Sequence, residues 1–432
     1  MTPKTKKKIE QIQNGETPNG YKFTDVGILP DNWGCARLSD ISEQITQTAG
    51  TEKYETVSIS AGIGFVNQAK KFGKELSGKQ YAKYTVLHKG DFSYNKGNSK
   101  KYPQGCVYRL KDRETAAVPN VFESFRITTG CSEYYDQLFV SGYLNHHLYR
   151  LINHGVRDDG LLNLTHKDFY SCLLPVPPIE EQKKIAKILS AQDTVIECYE
   201  KKIEQLKRMK KYYLQNMFPK RGESVPKIRF KGFPDPWEQQ KLADIYQKIG
   251  NAFVGTATPY YVKNGHFYLE SNNVKDGQIN YTTKVFINDE FYENQKDKWL
   301  HTGDIVMVQS GHVGHAAVIP KELDNTAAHA LIMFRNPKTK IEPYFLNYQY
   351  QTNNAKKKIE SITTGNTIKH ILASDMQEFV VDVTSYEEQS NIVGVFQRLD
   401  TLITLHQRKL EEEKKKKKAL QQLLLTGIVR TN

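Results

Sequence analysis

The sequence predicts an α+β protein: two mixed α/β domains separated by two long antiparallel coiled-coil helices, with pseudo-twofold character. Three observations carry this. A stretch opening Ile179-Glu180-Glu181-Gln182 returns as Tyr386-Glu387-Glu388-Gln389, and the copies align without a gap at an offset of 207 residues. Each copy bears an apolar stripe at alternating four- and three-residue spacing. Ahead of each copy lies a run of short β-like segments separated by turn residues. The period is far too long for a solenoid, so it reads as one module, a globular part plus a long helix, used twice.

In chain order, residues 1–20 form a short basic arm with a helical turn or more around Lys6 to Gln13. The first globular domain spans 21–178. It opens with Leu29-Pro30-Asp31-Asn32-Trp33, then Arg37-Leu38-Ser39-Asp40-Ile41. Strand patterns fall at Thr56–Ile59, Thr85–Leu87, Cys106–Tyr108 and Phe125–Ile127, and a helix is predicted from Ser132 to Leu151. A linker rich in Pro, Gly, Lys and Arg covers 219–232. The second domain, 233–384, repeats the opening as Phe233-Pro234-Asp235-Pro236-Trp237 and Lys241-Leu242-Ala243-Asp244-Ile245. Its strand patterns are Phe267–Leu269, Gln278–Tyr281, Asp304–Val308 and Ala316–Ile319, with a helix from Pro343 to Lys358. Both domains carry a Leu-His-x-Gly-Asp marker, ending at Asp91 and Asp304. Beyond it the interiors differ widely.

The long helices are 179–218 and 385–432, the latter with a tail. In the first, the seam is Ile185, Leu189, Gln192, Ile196, Tyr199, Ile203, Leu206, Lys210, Tyr213 and Met217; in the second it is Ile392, Phe396, Leu399, Ile403, His406, Leu410, Glu413, Lys417, Leu420 and Leu424. A narrow apolar stripe near 3.5-residue spacing is what a coiled-coil seam requires, and the Lys- and Glu-rich remainder suits a solvated face. At 1.5 Å per residue, such a helix would run roughly 57 Å, longer than one domain needs, so each seam is best matched by the other. Ser385 with Glu388 gives a capping-box signal, and Pro177-Pro178 followed by Glu180-Glu181 suits a positive helix start.

Composition narrows the function. The net charge of +13 points to a polyanionic partner. Five scattered cysteines without a Cys-x-x-Cys pair argue for a reducing compartment and against a disulfide framework or a thiolate zinc site. No apolar run approaches membrane-spanning length and no signal peptide is evident, so a cytoplasmic protein is expected.

The duplicated opening motifs, the Gly-Asp marker before a strand, the Pro-Val-Pro-Pro-x-Glu-Glu-Gln approach to a long helix and the twofold repetition together resemble the specificity subunit of type I restriction–modification systems, over nearly the whole chain. The resemblance implies two target-recognition domains, each reading one half of a bipartite asymmetric DNA site. It implies that the helices set the unread spacer and dock two modification (methyltransferase) subunits. S-adenosylmethionine and ATP with Mg are then expected on partner subunits, restriction/translocase subunits among them. This chain would itself bind no cofactor and catalyse nothing.

Candidate DNA contacts follow from residue chemistry: Lys for phosphates, Asn for base edges, Gly for close approach. In the first domain they are Asn95, Lys96, Asn98, Ser99, Lys100 and Lys101, with Arg157 nearer the helix. In the second they are Gln309, Ser310, His312 and His315, with Thr364, Asn366 and Lys369 before the distal helix. Plain turn chemistry is the bland alternative for each loop. Lysines 70, 71, 74, 79 and 83 are either a phosphate stripe or a solvated surface.

Catalytic signatures are missing. There is no Asp/Asn-Pro-Pro-Tyr/Phe methyltransferase motif and no Gly-x4-Gly-Lys-Ser/Thr phosphate loop. His312 and His315 lack a further metal ligand nearby. Glu181-Gln182-Lys183 imitates a nuclease Glu-x-Lys, but its repeat is Glu388-Gln389-Ser390, so a helix-start role is favoured. Two competing readings stay open here: a basic coiled-coil nucleic-acid scaffold without sequence specificity, and a nuclease or methyltransferase with unrecognised motifs.

Overall fold

A computed structural model describes residues 3–74, 76–97, 101–152, 162–365 and 369–431. The chain falls into two compact units, residues 1–199 with 409–432, and residues 200–408. Each of the two long helices, Ile179–Asn216 and Tyr386–Leu424, therefore contributes one part to each unit.

Both units are built on the same frame. In the first, a four-stranded antiparallel sheet has the spatial order Ser42–Gln44, Glu123–Ile127, Phe92–Asn95, Cys106–Arg109. In the second, the order is Tyr246–Asn251, Leu331–Pro337, Ile305–Val308, Ala316–Val318. The strand register matches at the centre of the two sheets. Phe125 lies between Gln44 and Phe92, as Phe334 lies between Ile249 and Ile305. A second shared element is the two-stranded pairing of Gly34–Arg37 with Leu173–Val176, and of Glu238–Lys241 with Val380–Val383. It joins the start of each domain to the strand that feeds its long helix. The interiors differ: among the described residues, only the second unit has a further four-stranded sheet, in which His266–Leu269 runs parallel to Ala327–Ala328.

The predicted helices over Ser132–Leu151 and Pro343–Lys358 are each broken in two. Ser132–Val140 is followed by Asn145–Leu151, with Gly142 at φ 82° between them. Pro343–Tyr350 is followed by Asn353–Ile362, because the Thr352 side chain caps the second helix by accepting the Ala355 N–H. The Gln278–Tyr281 strand shortens to Gln278–Ile279. The basic arm contains a full helix, Pro3–Gln13.

Glu-Glu-Gln has a structural explanation in both copies. Gln182 accepts the Cys131 N–H at 2.8 Å and donates to the Pro177 carbonyl at 2.8 Å. Gln389 accepts the Glu342 N–H at 2.9 Å and donates to the Thr384 carbonyl at 2.7 Å. Each buried glutamine thus ties the start of a long helix to the N-cap of an earlier one, Ser132–Val140 in the first unit and Pro343–Tyr350 in the second. The second glutamate takes an arginine: Arg430 forks onto Glu181, and Arg229 onto Glu388. Such bidentate pairs are geometrically demanding and hold their partners in one arrangement. Ser385 Oγ accepts the Glu388 N–H, as the capping signal predicts, but the Glu388 carboxylate goes to Arg229 and Thr384 instead of returning to the cap. With its glutamate and glutamine so engaged, Glu181-Gln182-Lys183 is a helix-start clamp.

The seam residues face inward. Ile185 and Leu189 share a core with Leu424 and Leu425 in the first unit, and Asp193 pairs with Lys417. In the second, Leu206 and Met217 share a core with Ile392, Phe396, Leu399 and Ile403, and Lys210 pairs with Asp400. Within each unit the two helix segments therefore run antiparallel. Ile196, Tyr199 and Leu410 are half-buried. Leu214, buried beside the predicted stripe, was not anticipated by strict heptad spacing.

Candidate nucleic-acid interface

In the first unit, the Gly90-Asp91 turn delivers the strand Phe92–Asn95, whose Tyr94 hydroxyl donates to the Gln104 carbonyl at 2.8 Å and closes the loop that follows. Gly105 sits at φ 74°, and a Cβ there would meet the Asn95 carbonyl oxygen at 2.4 Å, so only glycine fits. Asn95 spends its Oδ1 on the Gly97 N–H, at 2.8 Å, as an Asx turn. Lys96 is turned inward, with Nζ 3.6 Å from the buried Glu123 carboxylate, and its carbonyl accepts the Leu162 N–H. Lys101 is exposed, with Nζ 5.8 Å from the Tyr102 ring centroid. A cleft of about 490 Å³ opens beside this loop, lined by Lys101, Tyr102, Tyr108, Lys111 and Asn145 among others. Asn98, Ser99, Lys100 and Arg157 lie outside the described residues. Lysines 70, 71, 74, 79 and 83 are all exposed.

In the second unit, the equivalent loop after Ile305–Val308 is stitched to the segment before the distal helix. Gln309 is buried and its carbonyl accepts the Ile371 N–H at 2.9 Å. Ser310 bridges to His370, Gly311 N–H donates to the Lys369 carbonyl at 3.1 Å, and Thr364 exchanges backbone bonds with His370. Sequence-distant candidates Ser310, Thr364 and Lys369 thus stand together. His312 is exposed. His315 accepts the Asp276 N–H at Nδ1, 3.2 Å away, and burial pushes its pKa below the ordinary histidine value, against the opposing pull of Asp276. The two imidazoles lie edge to face with centroids 6.2 Å apart. Among the described residues, no group of three or more His, Cys, Asp or Glu could hold a metal ion. A cleft of about 550 Å³ is lined by three lysines, Lys211, Lys356 and Lys369, by two carboxylates, Asp276 and Glu360, and by His312 and His315 among others; the exposed Lys369 has its Nζ 3.6 Å from Glu360. Asn366 lies outside the described residues.

The Gly-Asp marker is a shared turn with unequal surroundings. The Asp91 carboxylate accepts the His88 N–H and is gripped by Arg126 through two bonds, at 2.7 and 2.9 Å. Asp304 accepts the His301 N–H at 2.8 Å, but the equivalent Arg335 donates instead to the Asp297 and Trp299 carbonyls. Burial accordingly raises the Asp304 pKa. Sequence reasoning missed Glu123, Arg126, Arg229 and Arg430, because their partners are set by sheet register and tertiary packing.

A family model described as the type I restriction modification DNA specificity domain matches residues 4–208 and 234–414. The MjaX type I restriction enzyme specificity-subunit sequence of Methanocaldococcus jannaschii is 26% identical over 431 residues, covering 95% of this chain and 96% of its own. The MjaVIII specificity subunit of the same organism is 28% identical over 279 residues, covering 63% of this chain and 65% of its own. In fold, the chain is similar to the type I restriction-modification S subunit of M. genitalium, with a TM-score of 0.54 at 14% identity, covering 91% and 96% of the two chains. No helix among the described residues is long and apolar enough to cross a membrane.

Proposed function

The chain belongs to the type I restriction–modification DNA specificity family, and we propose that each of its two units reads one half of a bipartite, asymmetric DNA site. As a specificity subunit it recognises DNA on behalf of partner subunits of a restriction–modification system and is not itself the enzyme. The observation that carries the two-half reading is the recurrence of one sheet, in one strand order, with unlike loops after the same strand position. One frame used twice with different loops is how a single chain recognises two different half-sites. In the first unit the DNA-facing set comprises Lys101 and the neighbouring loop; in the second it comprises His312, Lys369 and the Gly-rich turn, beside a cleft that also holds Lys211 and Lys356. Phosphate contacts supply salt-dependent affinity and the loop side chains supply discrimination.

The long helices are the ruler and the dock. Each unit leaves large apolar side chains exposed on them: Ile188 and Val195 in the first, and Met209, Tyr212, Leu402 and Leu405 in the second. Apolar helix faces of this kind are suited to helical segments of two modification subunits. Those subunits would carry S-adenosylmethionine, and restriction/translocase subunits ATP with Mg, in the cytoplasm. The test is to express the chain with its modification subunit in a methylation-free host and sequence the methylated bases. Adenine methylation at a two-part motif with a fixed gap is expected. Methylation without sequence preference would favour the nonspecific scaffold.

A further inference from the structure

The first strand residue after the second-strand turn in unit one is a carboxylate, Glu123, only 7% exposed. Three partners from separate parts of the unit converge on it, with the Tyr170 hydroxyl also beside the carboxylate. Gln44 of the edge strand donates from Nε2 at 3.1 Å, and His166, the first residue of the helix His166–Tyr170, lies with Nδ1 at 3.0 Å. Lys96, which opens the recognition loop, brings Nζ to 3.6 Å. The sister unit carries Ile332, Ile249, Ala373 and Gln309 at these four positions, as sheet register and helix starts assign them. Ile332 is fully buried, and Ile249 and Ala373 pack against the apolar core. The shared frame therefore forms without the polar cluster.

A buried carboxylate and its cation must both be stripped of water, and the apolar alternative is often as stable or more so. Stability thus gives no reason for the cluster. What Glu123 does that Ile332 cannot is tether a loop residue to a rigid central strand. Lys96 is held by its ammonium from one side and by the Leu162 N–H on its carbonyl from the other. We propose that Glu123 is a positioning residue for DNA recognition: its carboxylate, braced by Gln44 and His166, fixes Lys96 as a strut and so sets the path of the loop that reads the first unit's half-site. This rests on the reading that the first unit contacts DNA. It also moves Lys96 from a phosphate contact to an internal support, since its charge is already matched. Binding sites held by such supporting contacts lose selectivity when the support is removed, even though nothing touching the ligand has changed.

The test uses the full chain with its modification subunit, reading methylated motifs and thermal unfolding together. The four-residue exchange Gln44→Ile, Lys96→Gln, Glu123→Ile and His166→Ala installs the sister unit's residues. It should melt at or above the parent's temperature, keep the second half-site, and lose about 10-fold or more of the discrimination at the first, within the range that one specifying contact supplies. Glu123→Gln, which retains an acceptor for Gln44 and loses the charge facing Lys96, should relax the same half-site partially. Lys96→Arg should preserve it and Lys96→Met should not. Undiminished selectivity in the exchange variant or in Glu123→Gln, or equal damage from Lys96→Arg and Lys96→Met, overturns the proposal. So does an exchange variant that fails to fold. A parent complex with no two-part motif would instead sink the DNA reading beneath it.

Discussion

Where the first unit holds Asp91 in the fork of Arg126, the second leaves Asp304 with a single backbone N–H and a carboxyl pushed upward by burial. Where the first gathers Glu123, Lys96, Gln44 and His166, the second packs isoleucine and alanine. The helix seam repeats the contrast. The Gln192 amide donates to the Glu413 carboxylate in the first unit, while their counterparts Leu399 and Leu206 are buried in the core of the second. Conversely, the Nε1 of Trp33 donates to Glu181 at 2.9 Å, whereas that of Trp237 is buried without a hydrogen-bond partner. One frame thus tolerates either chemistry at a given position. The sheet register and the glutamine clamps recur in both units, and the polar placements do not.

The largest expected contrast between the units lies at the arginine forks. Glu388 is completely buried and holds the half-buried Arg229 in a fork, so Glu388→Ala should cost about 3 kcal/mol by leaving that guanidinium unmatched. Glu181→Ala should cost less, because water still reaches Arg430. Urea unfolding of the two variants checks the order, and equal losses would deny the difference.

Next come the marker aspartates. Asp91→Asn weakens a charge-assisted fork and should cost about 1.5–3 kcal/mol, while Asp304→Asn should change stability at pH 7 by less than about 1 kcal/mol. The sign follows from burial: an acid whose folded pKa is raised loses stability as pH rises above its unfolded value near 3.8, so neutralising Asp304 removes a cost already present at pH 7. Thermal melts at pH 7 decide it, and a large loss in Asp304→Asn would contradict the account.

At the seam, Glu413→Leu alone takes the carboxylate from the Gln192 amide, leaving it a long bond to the main-chain carbonyl, and should cost about 1 kcal/mol, whereas Gln192→Leu with Glu413→Leu should restore or exceed the parent's stability. A double variant no better than the single would show that the two units do not share one seam. The smallest effect is His315. Its folded pKa lies below the ordinary 6.5, so the native state binds protons less readily than the unfolded one, and stability should fall as pH drops below about 6.5. His315→Gln should flatten that part of the pH–stability curve, and an unchanged slope would remove His315 as its source.

Much of the frame is legible in the sequence because periodicity and repetition are local signals. The seam from Ile185 to Leu206 and from Ile392 to Leu410 follows from spacing alone, and the Gly-Asp turns follow from Gly90 and Gly303. The breaks after Val140 and Tyr350 were lost because a continuous apolar pattern hides the turn at Gly142 and the cap at Thr352. The arginines escaped for another reason. Arg229 lies in the linker and Arg430 in the tail, neither in a periodic stretch, and each reaches a glutamate that only tertiary packing brings near. Lys96 looked like a phosphate contact because its loop is polar; only the pairing of Tyr94 with Glu123 across the sheet shows where its charge goes.

The central claim is that the two units read their half-sites independently. Methylated-base sequencing of the parent complex and of the double variant His312→Ala, Lys369→Ala tests it most directly. The account predicts a two-part motif in which the second unit's half alone degenerates, while the first half and the gap stay fixed. Simultaneous change in both halves, or an altered gap with intact halves, would contradict it.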